Sequence, residues 1–267
     1  MLGDKYDVSL VVACYNEEPV LVNSVKAIVE TFDSTRWSYE LIFVDDASRD
    51  RTRDIIDDLL ERYRGQNFRK LFHKRNRGRG RTVADGIRLA QGRVVGYIDI
   101  DLEIHARYIP AMVTAIHKGA DVATAHRIYK VHPRIFFRFV LSAGYIRLMQ
   151  QLLKVDLKDT ETGFKFFRRD RILPVLDEIE DGGWFWDTEV MVRSLLRGYK
   201  IVEIPCLFVK RYDIPSTVKV WRDTLAYLVK LWRFRGVVAA MRRGTLAPLA
   251  ASLEGEPPAL DITEYQA

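Results

Sequence analysis

The stretch "VVGYIDIDLE", residues 94–103, joins an apolar run to three carboxylates at alternate positions. The apolar run predicts a buried β-strand, and side chains alternate between the two faces of a strand. If the strand stays extended to its end, Asp99, Asp101 and Glu103 share one face and repel each other. A divalent cation between them would relieve this repulsion, and such oxygen ligands suit Mg²⁺ or Mn²⁺. The alternative is a strand end whose carboxylates are simply solvated.

Strand and helix patterns alternate along the first part of the chain. The strand patterns, rich in Val and Ile, cover residues 8–16, 39–48, 68–74 and 93–101. This alternation is typical of an α/β fold with a mostly parallel central sheet, which binds ligands beyond the carboxyl ends of its strands. The polar stretches "CYNEE" at 14–18, "DDAS" at 45–48 and "DIDLE" at 99–103 all follow strand patterns. They therefore predict one shared acidic crevice.

Composition narrows the class of protein. The chain has 267 residues, of which 48% are hydrophobic, enough for one sizeable core. Its two cysteines, Cys14 and Cys206, lie in apolar runs, so we expect buried free thiols and no zinc site. The net charge of +6 favours anionic partners such as phosphates, lipid headgroups or nucleic acid. The charged N-terminus predicts no signal peptide, and no apolar stretch is long enough to predict a transmembrane helix.

Residues 218–243 predict an amphipathic helix. Trp221, Leu225, Leu228 and Trp232 follow each other at helical spacing, with Lys219, Arg222, Lys230 and Arg233 around them. Trp flanked by Lys and Arg is typical of a helix that lies in a membrane interface. A helix packed on the sheet, or one in a dimer contact, would show the same pattern. The following residues, 244–267, have little core-forming pattern and predict a loosely ordered tail.

An ordered set of motifs points to a family. The set comprises "CYNEE" (14–18), "VDDASRDRT" (44–52), "NRGRGRTVADG" (76–86), "DIDLE" (99–103), "DTETGFKFFRR" (159–169), "FWDTEVM" (185–191) and "EIPCLFVKR" (203–211). With these motifs the chain resembles family-2 glycosyltransferases of the GT-A fold, and among them the dolichyl- and polyprenyl-phosphate mannose or glucose synthases. The resemblance covers most of residues 8–211. It implies one Rossmann-like GT-A domain at 1–217.

The resemblance implies a role for each residue of the donor site. Asp99 and Asp101 would form a DxD motif that holds Mg²⁺ or Mn²⁺ on the diphosphate of the donor, with Asp101 in the catalytic set. Glu103 stands where relatives commonly carry Gln and would be a third metal ligand. The residues implied in nucleotide binding are Ala13, Tyr15, Glu17, Val44, Asp46, Arg79, Asp99 and Ile100.

The resemblance also implies a phosphate acceptor. Arg127, Arg138 and Arg211 would contact the acceptor phosphate or the diphosphate of the donor, and Arg127 and Arg211 would also serve catalysis. Arg suits this task because its fork binds phosphate oxygens bidentately. A phosphate is already ionised near neutral pH, so it needs no general base. If the acceptor is instead a hydroxyl, Asp187 and Glu189 are the candidates for a carboxylate base.

The expected function is inverting, metal-dependent transfer of a sugar from a UDP- or GDP-linked donor to a polyprenyl phosphate. We expect a cytoplasmic protein associated peripherally with the inner face of a membrane. Transfer to a sugar hydroxyl of a glycan or glycolipid is the alternative within the same fold. A basic nucleic-acid-binding protein is a third reading, which the acidic strand ends oppose, so nucleic acid is not an expected partner.

Overall fold

The computed structural model of the protein describes residues 4–129, 136–211 and 220–244. Within these ranges the side chains of residues 136–143, 145 and 220–226 are outside the description. The side chain of Arg138 and the tail predicted at 244–267, apart from Gly244, therefore lie outside the described residues.

Strands and helices alternate along the described chain. The strands are β1 (Tyr6–Cys14), β2 (Tyr39–Asp45), β3 (Asn67–Phe72), β4 (Gly92–Asp99), β5 (Val122–Tyr129), β6 (Phe164–Arg168) and β7 (Ile201–Phe208). The helices are α1 (Leu21–Asp33), α2 (Thr52–Arg62), α3 (Arg79–Leu89), α4 (Ile109–His117), α5 (Phe136–Leu153), α6 (Arg169–Leu176), α7 (Trp186–Leu196) and α8 (Val220–Arg242), with a short 3₁₀ turn at Ala106–Tyr108. They form a single α/β domain, as the alternation of patterns predicts.

The seven strands form one sheet in the order β3-β2-β1-β4-β6-β5-β7. Every neighbouring pair is parallel except those that involve β6, which runs antiparallel to both β4 and β5. Helices cover both faces, so the strands are buried on both sides. In β1, for example, Leu10 and Val12 pack under α1, α2 and α4, while Val11 packs with α3 on the other face. The mostly parallel sheet is confirmed.

Strand β6 is the element that the sequence did not predict. Its segment "FKFFR" is only five residues long and leads directly into α6. A strand buried on both faces lacks polar–apolar alternation, which is the usual signal of a strand. Because β6 runs against its neighbours, it begins at the sheet edge where β4 and β5 end.

Strand β4 ends earlier than the sequence analysis assumed. The strand stops at Asp99, and a turn follows in which Leu102 has a φ of 52°. The side chain of Ile100 packs in the core. The extended end assumed for residues 99–103 is therefore wrong, and the three carboxylates do not follow the alternation of a strand.

Helix α8 packs on the domain through one face. Its Leu231, Phe234 and Val238 are buried together with residues of α5 and α7. Trp232 lies on another face and is 59% exposed. The helix therefore packs on the core through one face and exposes an aromatic side chain on another. The side chains of Trp221 and Leu225 lie outside the described residues. In the described ranges, no helix is long and apolar enough to cross a membrane.

Both cysteines lie in the core of the domain. Cys14 ends β1 and Cys206 lies in β7, and each is buried as a free thiol. This agrees with the expectation from the sequence.

Candidate active site

Three strand ends meet at one point of the sheet. Ala13 of β1 lies in register with Val44 of β2 on one side and with Asp99 of β4 on the other. Parallel strands bring the loops that follow them to the same edge, where doubly wound sheets bind their ligands. The side chain of Val44 is buried in the core, as is that of Ile100. Any nucleotide contact at Val44 or Ile100 would therefore come from main-chain atoms.

The loops after β1 and β2 brace each other. The side chain of Asn16 accepts a hydrogen bond from the amide of Arg49 at 2.8 Å, and the amide of Asn16 donates to the hydroxyl of Ser48 at 2.9 Å. The amide of Glu17 donates to the hydroxyl of Thr52 at 2.8 Å. These bonds fix one wall of the crevice.

Asp46 anchors the loop that leads into α3. Its carboxylate accepts hydrogen bonds from the amides of Arg77 (2.7 Å) and Gly78 (2.9 Å) and lies 2.9 Å from Nδ1 of His73. Burial raises the pKa of Asp46, but these bonds outweigh burial and hold that pKa below its usual value. The carboxylate implied in nucleotide binding is thus occupied by its own chain, which favours an anchoring role.

Two glycines let this loop approach α7 closely. Gly78 has a φ of 91°, and a Cβ there would lie 2.6 Å from the carbonyl oxygen of Gly182. A Cβ on Gly80 would lie 2.3 Å from Cβ of Trp186, which is buried. The glycines therefore seat the start of α3 against the start of α7, with Arg79 between them.

Arg79 is bound by carboxylates on two sides. Its Nη2 and Nε lie 2.5 Å and 3.0 Å from Oδ1 of Asp99, and its Nη1 lies 2.5 Å from Oδ2 of Asp187. The rings of Tyr97 and Trp184 lie 5.7 Å and 5.5 Å from the guanidinium carbon. Burial would lower the pKa of Arg79, but Asp187 and Asp99 raise it, so the guanidinium stays charged.

A buried lysine lies behind this arginine. Lys165 of β6 has no exposed surface, and its Nζ lies 2.8 Å from Oδ1 of Asp187. Lys165 also donates to the carbonyl of Thr162, and the hydroxyl of Tyr97 donates to the same Asp187 oxygen. Burial alone would raise the pKa of Asp187, but Arg79 and Lys165 hold it below its usual value. A buried carboxylate with three donors and a lowered pKa is a poor general base.

On the other side of Asp99 the carboxylates crowd together. Burial, followed by the charges of Asp101 and Asp99, raises the pKa of Glu17 to about 7. Burial and Asp99 raise the pKa of Asp101 to about 6. Burial and neighbouring negative charges both disfavour an ionised carboxylate.

Asp99 and Asp101 are the side chains that could hold a metal. Their oxygens suit Mg²⁺ or Mn²⁺, which is commonly bound by one or two carboxylates while phosphates and waters complete the shell. Among the described residues, no three His, Cys, Asp or Glu side chains form a complete metal cage. Glu103, the expected third ligand, accepts hydrogen bonds from Nζ of Lys210 at 2.5 Å and from the amide of Arg211 at 3.1 Å. These partners favour a role for Glu103 in holding the residues that follow β7.

Gly163 closes the floor under Asp99. The amide of Asp99 donates to the carbonyl of Gly163 at 2.9 Å. A Cβ on Gly163 would lie 1.8 Å from Oδ2 of Asp99 and 2.4 Å from Nη2 of Arg79. The site therefore has no space for a side chain at this position.

The chain also matches a known protein family. The family model described as "Glycosyl transferase family 2" matches residues 9–173 of the chain. The chain belongs to glycosyl transferase family 2. The match includes the strand ends of β1, β2 and β4, and it extends through β6 into α6.

The chain of this glycosyltransferase is similar to several curated glycosyltransferases. "Glycosyltransferase AglD" of Haloferax volcanii is 32% identical over 235 residues, which cover 85% of this chain but only 37% of the relative. The "Dolichyl-phosphate beta-glucosyltransferase" of Dictyostelium discoideum is 25% identical over 87% of this chain and 78% of its own length. The "Dolichol-phosphate mannosyltransferase" of Pyrococcus furiosus is 28% identical over 93% and 70%.

Solved structures share the GT-A fold of the glycosyltransferase. Glucosyl-3-phosphoglycerate synthase from Mycobacterium tuberculosis in complex with uridine diphosphate has a TM-score of 0.63 at 16% identity, over 87% of this chain and 81% of its own. A complex of the same synthase with Mn²⁺, uridine diphosphate and glucosyl-3-phosphoglycerate has a TM-score of 0.58 at 17% identity, over 90% and 81%. At these identities the likeness establishes the fold.

The structure describes the side chains of two of the three arginines that the sequence analysis expects to contact a phosphate, Arg127 and Arg211. Arg127, near the end of β5, binds the carboxylate of Asp159 through Nε at 2.6 Å and Nη2 at 2.9 Å, and Nη2 lies 3.7 Å from Glu161. Arg211 follows β7, with its amide on Glu103 and its Nη1 3.5 Å from the carbonyl of Asp101. Arg211 thus lies beside the acidic turn, and Arg127 lies in an ion pair with Asp159.

Glu189 of the glycosyltransferase binds the loop before α7 and a side chain of its own helix. Its carboxylate accepts hydrogen bonds from the amides of Glu180 (3.2 Å) and Asp181 (3.0 Å) and from Nε of Arg193 (2.8 Å). The side chain is buried, and it holds the loop that precedes α7. This geometry favours a structural role over the base role considered from the sequence.

Sequence reasoning missed several residues of the glycosyltransferase site. Lys165, Tyr97 and Gly163 all contact the Arg79–Asp99 pair or its partner Asp187. The one available signal was the lysine within the apolar run "FKFF", since a lysine is almost never fully buried unless it is paired. The contacts of Tyr97 and Gly163 depend on β6, which the sequence did not predict.

Proposed function

We propose that the protein is an inverting, metal-dependent glycosyltransferase that moves a sugar from a UDP- or GDP-linked donor to a polyprenyl phosphate. The observation that carries the proposal is the acidic turn after β4. There burial, followed by the charges of neighbouring carboxylates, raises the pKa values of Glu17 and Asp101. The cationic Arg79 binds Asp99, and Nη1 of Arg211 lies 3.5 Å from the carbonyl of Asp101. A divalent cation with a diphosphate would balance this arrangement. The names of the Dictyostelium and Pyrococcus relatives support the choice of acceptor.

In this proposal the charged residues around the acidic turn each have a specific task. Asp99 and Asp101 would hold Mg²⁺ or Mn²⁺, which supplies Lewis-acid neutralisation of the leaving diphosphate. Arg79 keeps the carboxylate of Asp99 in place, because it is itself held by Asp187. Arg211 brings a cation beside the main chain of Asp101.

In this proposal, positively charged side chains bind the acceptor. A phosphate acceptor is anionic, so cationic groups must hold it close to the anionic donor. Arg127 and Arg211 are the described arginines proposed for this task, and Arg138 remains part of the proposal. Asp159 fixes the guanidinium of Arg127 and leaves Nη1 outside that bidentate pair.

One observation favours the alternative of a hydroxyl acceptor. Burial and the charges of Asp159 and Asp187 raise the pKa of Glu161 to about 7, against the opposing charge of Arg127. A carboxylate whose pKa lies near neutral pH is suited to act as a general base. In that alternative, Glu161 takes the role that was first considered for Asp187 and Glu189.

We further propose that the protein works at the inner face of a membrane. The exposed Trp232 of α8 has the guanidinium of Arg235 over its ring at 4.3 Å, and the nearby Val229 is 45% exposed. An aromatic side chain beside cations is typical of helices at membrane interfaces.

The test is labelled sugar transfer with each candidate donor and acceptor. Purified protein with Mn²⁺ should transfer sugar from one UDP- or GDP-linked donor to an added polyprenyl phosphate, and chelator should abolish transfer. Asp99→Asn and Asp101→Asn should each lower the rate about 10²-fold or more. The matched control is Asp57→Asn, which removes a half-exposed carboxylate on α2 and should leave the rate unchanged. Full activity in chelator, or transfer only to glycan hydroxyls, would refute the proposal.

A further inference from the structure

A second basic cleft lies on the outer side of α3. It has a volume of about 530 Å³ and runs between α3 and the segment that joins α6 to α7. Four arginines line it: Arg75, Arg77, Arg81 and Arg88. We call it the arginine cleft. Its volume is in the range of small-molecule sites.

The arginine cleft is separate from the acidic turn. On a helix with 3.6 residues per turn, positions 81 and 88 lie about 200° and about 180° around the axis from position 79. Arg79 points to Asp99 and Asp187, whereas Arg81 and Arg88 line the cleft. Helix α3 thus presents one arginine to the proposed donor site and others to the opposite side.

Within the arginine cleft, guanidinium groups outnumber their partners. The carboxylate of Asp85 serves Arg77 at 2.6 Å and Arg81 at 3.3 Å, and it also lies 3.3 Å from Nε2 of His73. Arg88 binds Asp177 at 3.0 Å. One carboxylate facing three cationic groups leaves a surplus of positive charge.

The acidic residues that line the arginine cleft do not cancel this surplus. Asp181 is engaged by Nζ of Lys230 and by the amide of Gly183 at 2.7 Å. Glu180 is the other acidic side chain of the lining, and it is exposed.

Two donor atoms in the arginine cleft lack a hydrogen bond within the described structure. Nη1 of Arg88 is buried without a partner. Nε of Arg81 is also buried, and its 3.3 Å approach to Asp85 is an ion-pair contact without hydrogen-bond geometry. Buried donors normally have partners, so these two atoms show that the arginines carry more donors than the acceptors around them can satisfy.

We propose that the arginine cleft binds the phosphate group of a ligand, at a site distinct from the donor site. Phosphate suits the cleft because a guanidinium offers a fork of N–H donors that matches phosphate oxygens, and the side chains of Arg81 and Arg88 are 41% and 29% exposed. The volume leaves room for the molecule that carries the phosphate. The ion pair between Asp181 and Lys230 places α8 beside the cleft. The phosphate can therefore come from a soluble compound or from a lipid headgroup.

The test measures phosphate binding with metal removed. Inorganic pyrophosphate in chelator is titrated into the full chain by calorimetry, and sedimentation with phosphatidylcholine vesicles that contain phosphatidic acid forms the second arm. The variant Arg81→Gln/Arg88→Gln removes two charges from the cleft. The matched control Arg62→Gln/Arg64→Gln removes two charges from the exposed end of α2. Melting curves establish that each variant folds.

The cleft variant should weaken binding about tenfold or more, because charge-assisted hydrogen bonds are lost, while the control binds as the wild type does. Loss in the pyrophosphate arm assigns a soluble phosphate, and loss only in the vesicle arm assigns a lipid headgroup. Equal binding by the cleft variant and the control in both arms overturns the proposal. So does pyrophosphate binding that Arg79→Gln abolishes and the cleft variant does not, because the anion then belongs to the donor site. The result does not depend on whether sugar transfer is observed.

Discussion

Nζ of Lys165 lies 2.8 Å from Oδ1 of Asp187, and neither side chain reaches solvent to a significant extent. The two residues come from β6 and from the start of α7, so this ion pair joins the sheet to a helix. Asp187 also binds Arg79, and Arg79 in turn binds Asp99. The position of Asp99 therefore depends on a buried lysine that has no contact with solvent.

Replacement of Lys165 should be costly to stability. Lys165→Met should lower the free energy of unfolding by about 3 kcal/mol or more, because it leaves Asp187 buried with one cation fewer. The control Lys70→Met breaks a partly exposed pair with Asp57 and should cost about 1 kcal/mol at most. Urea denaturation of both variants measures the difference. Equal and small losses would show that the buried pair contributes nothing specific.

Gly163 should be intolerant of any side chain. Gly163→Ala should displace Asp99, because its Cβ would lie 1.8 Å from Oδ2 of that residue. We expect about a 10²-fold loss of transfer, together with weaker binding of nucleoside diphosphate and Mn²⁺ by calorimetry. Gly236→Ala on α8 meets open space and should be neutral or slightly stabilising. Normal metal-dependent nucleotide binding by Gly163→Ala would contradict the argument.

Replacement of Arg127 by lysine should impair transfer, although the variant protein should remain folded. Arg127→Lys keeps the charge and loses the fork that binds Asp159, so we expect about a tenfold change in acceptor KM or kcat. Nucleotide affinity should stay near normal. Arg127→Ala is a poorer test, since it leaves Asp159 buried without its partner and should cost about 3 kcal/mol or more of stability. Steady-state kinetics with varied acceptor decide the matter, and a purely donor-side defect would remove Arg127 from the acceptor site.

Two neighbouring residues of α8 separate packing from membrane contact. Leu231 is fully buried, so Leu231→Ala should lower the free energy of unfolding by about 2–5 kcal/mol. Trp232 is 59% exposed, so Trp232→Ala should leave stability almost unchanged and weaken sedimentation with anionic vesicles. Vesicle binding that Trp232→Ala leaves intact would place the membrane contact elsewhere.

His73 should make stability depend on pH in a defined direction. Burial lowers its pKa, but Asp46 and Asp85 outweigh burial and raise that pKa above the usual value. The charged imidazolium therefore stabilises the fold fully below the unfolded pKa of about 6.5, and this stabilisation is lost as pH rises through the folded pKa. His73→Asn cannot titrate. The difference in unfolding free energy between wild type and His73→Asn should be largest below the unfolded pKa of about 6.5 and shrink as pH rises above it. A difference that does not vary with pH would rule out a charged His73.

The sequence predicted the strands β1 to β4 because their apolar runs alternate with helical patterns. It missed β6, whose residues are buried on both faces and so lack alternation. The acidic positions Asp99 and Asp101 could be predicted because they follow a long strand directly. The tasks of Asp187 and Glu189 could not, since a carboxylate in a helix gives no sign of which donors will reach it. Tertiary contacts with Lys165, Arg79 and Arg193 define those tasks.

The reversed direction of β6 has a consequence for the order in which the protein assembles. Strands β1 to β4 and their helices come from consecutive sequence and can pair soon after they are made. The carbonyl that receives the amide of Asp99 belongs to Gly163, which follows 64 positions later (163 minus 99) at the entrance to β6. Contacts between residues so far apart close a long loop and form slowly. We therefore expect a nascent chain released before β6 to be compact in its first half and unable to bind a nucleotide with metal. Limited proteolysis and nucleotide binding of such a fragment would show whether the site matures only when this strand is inserted.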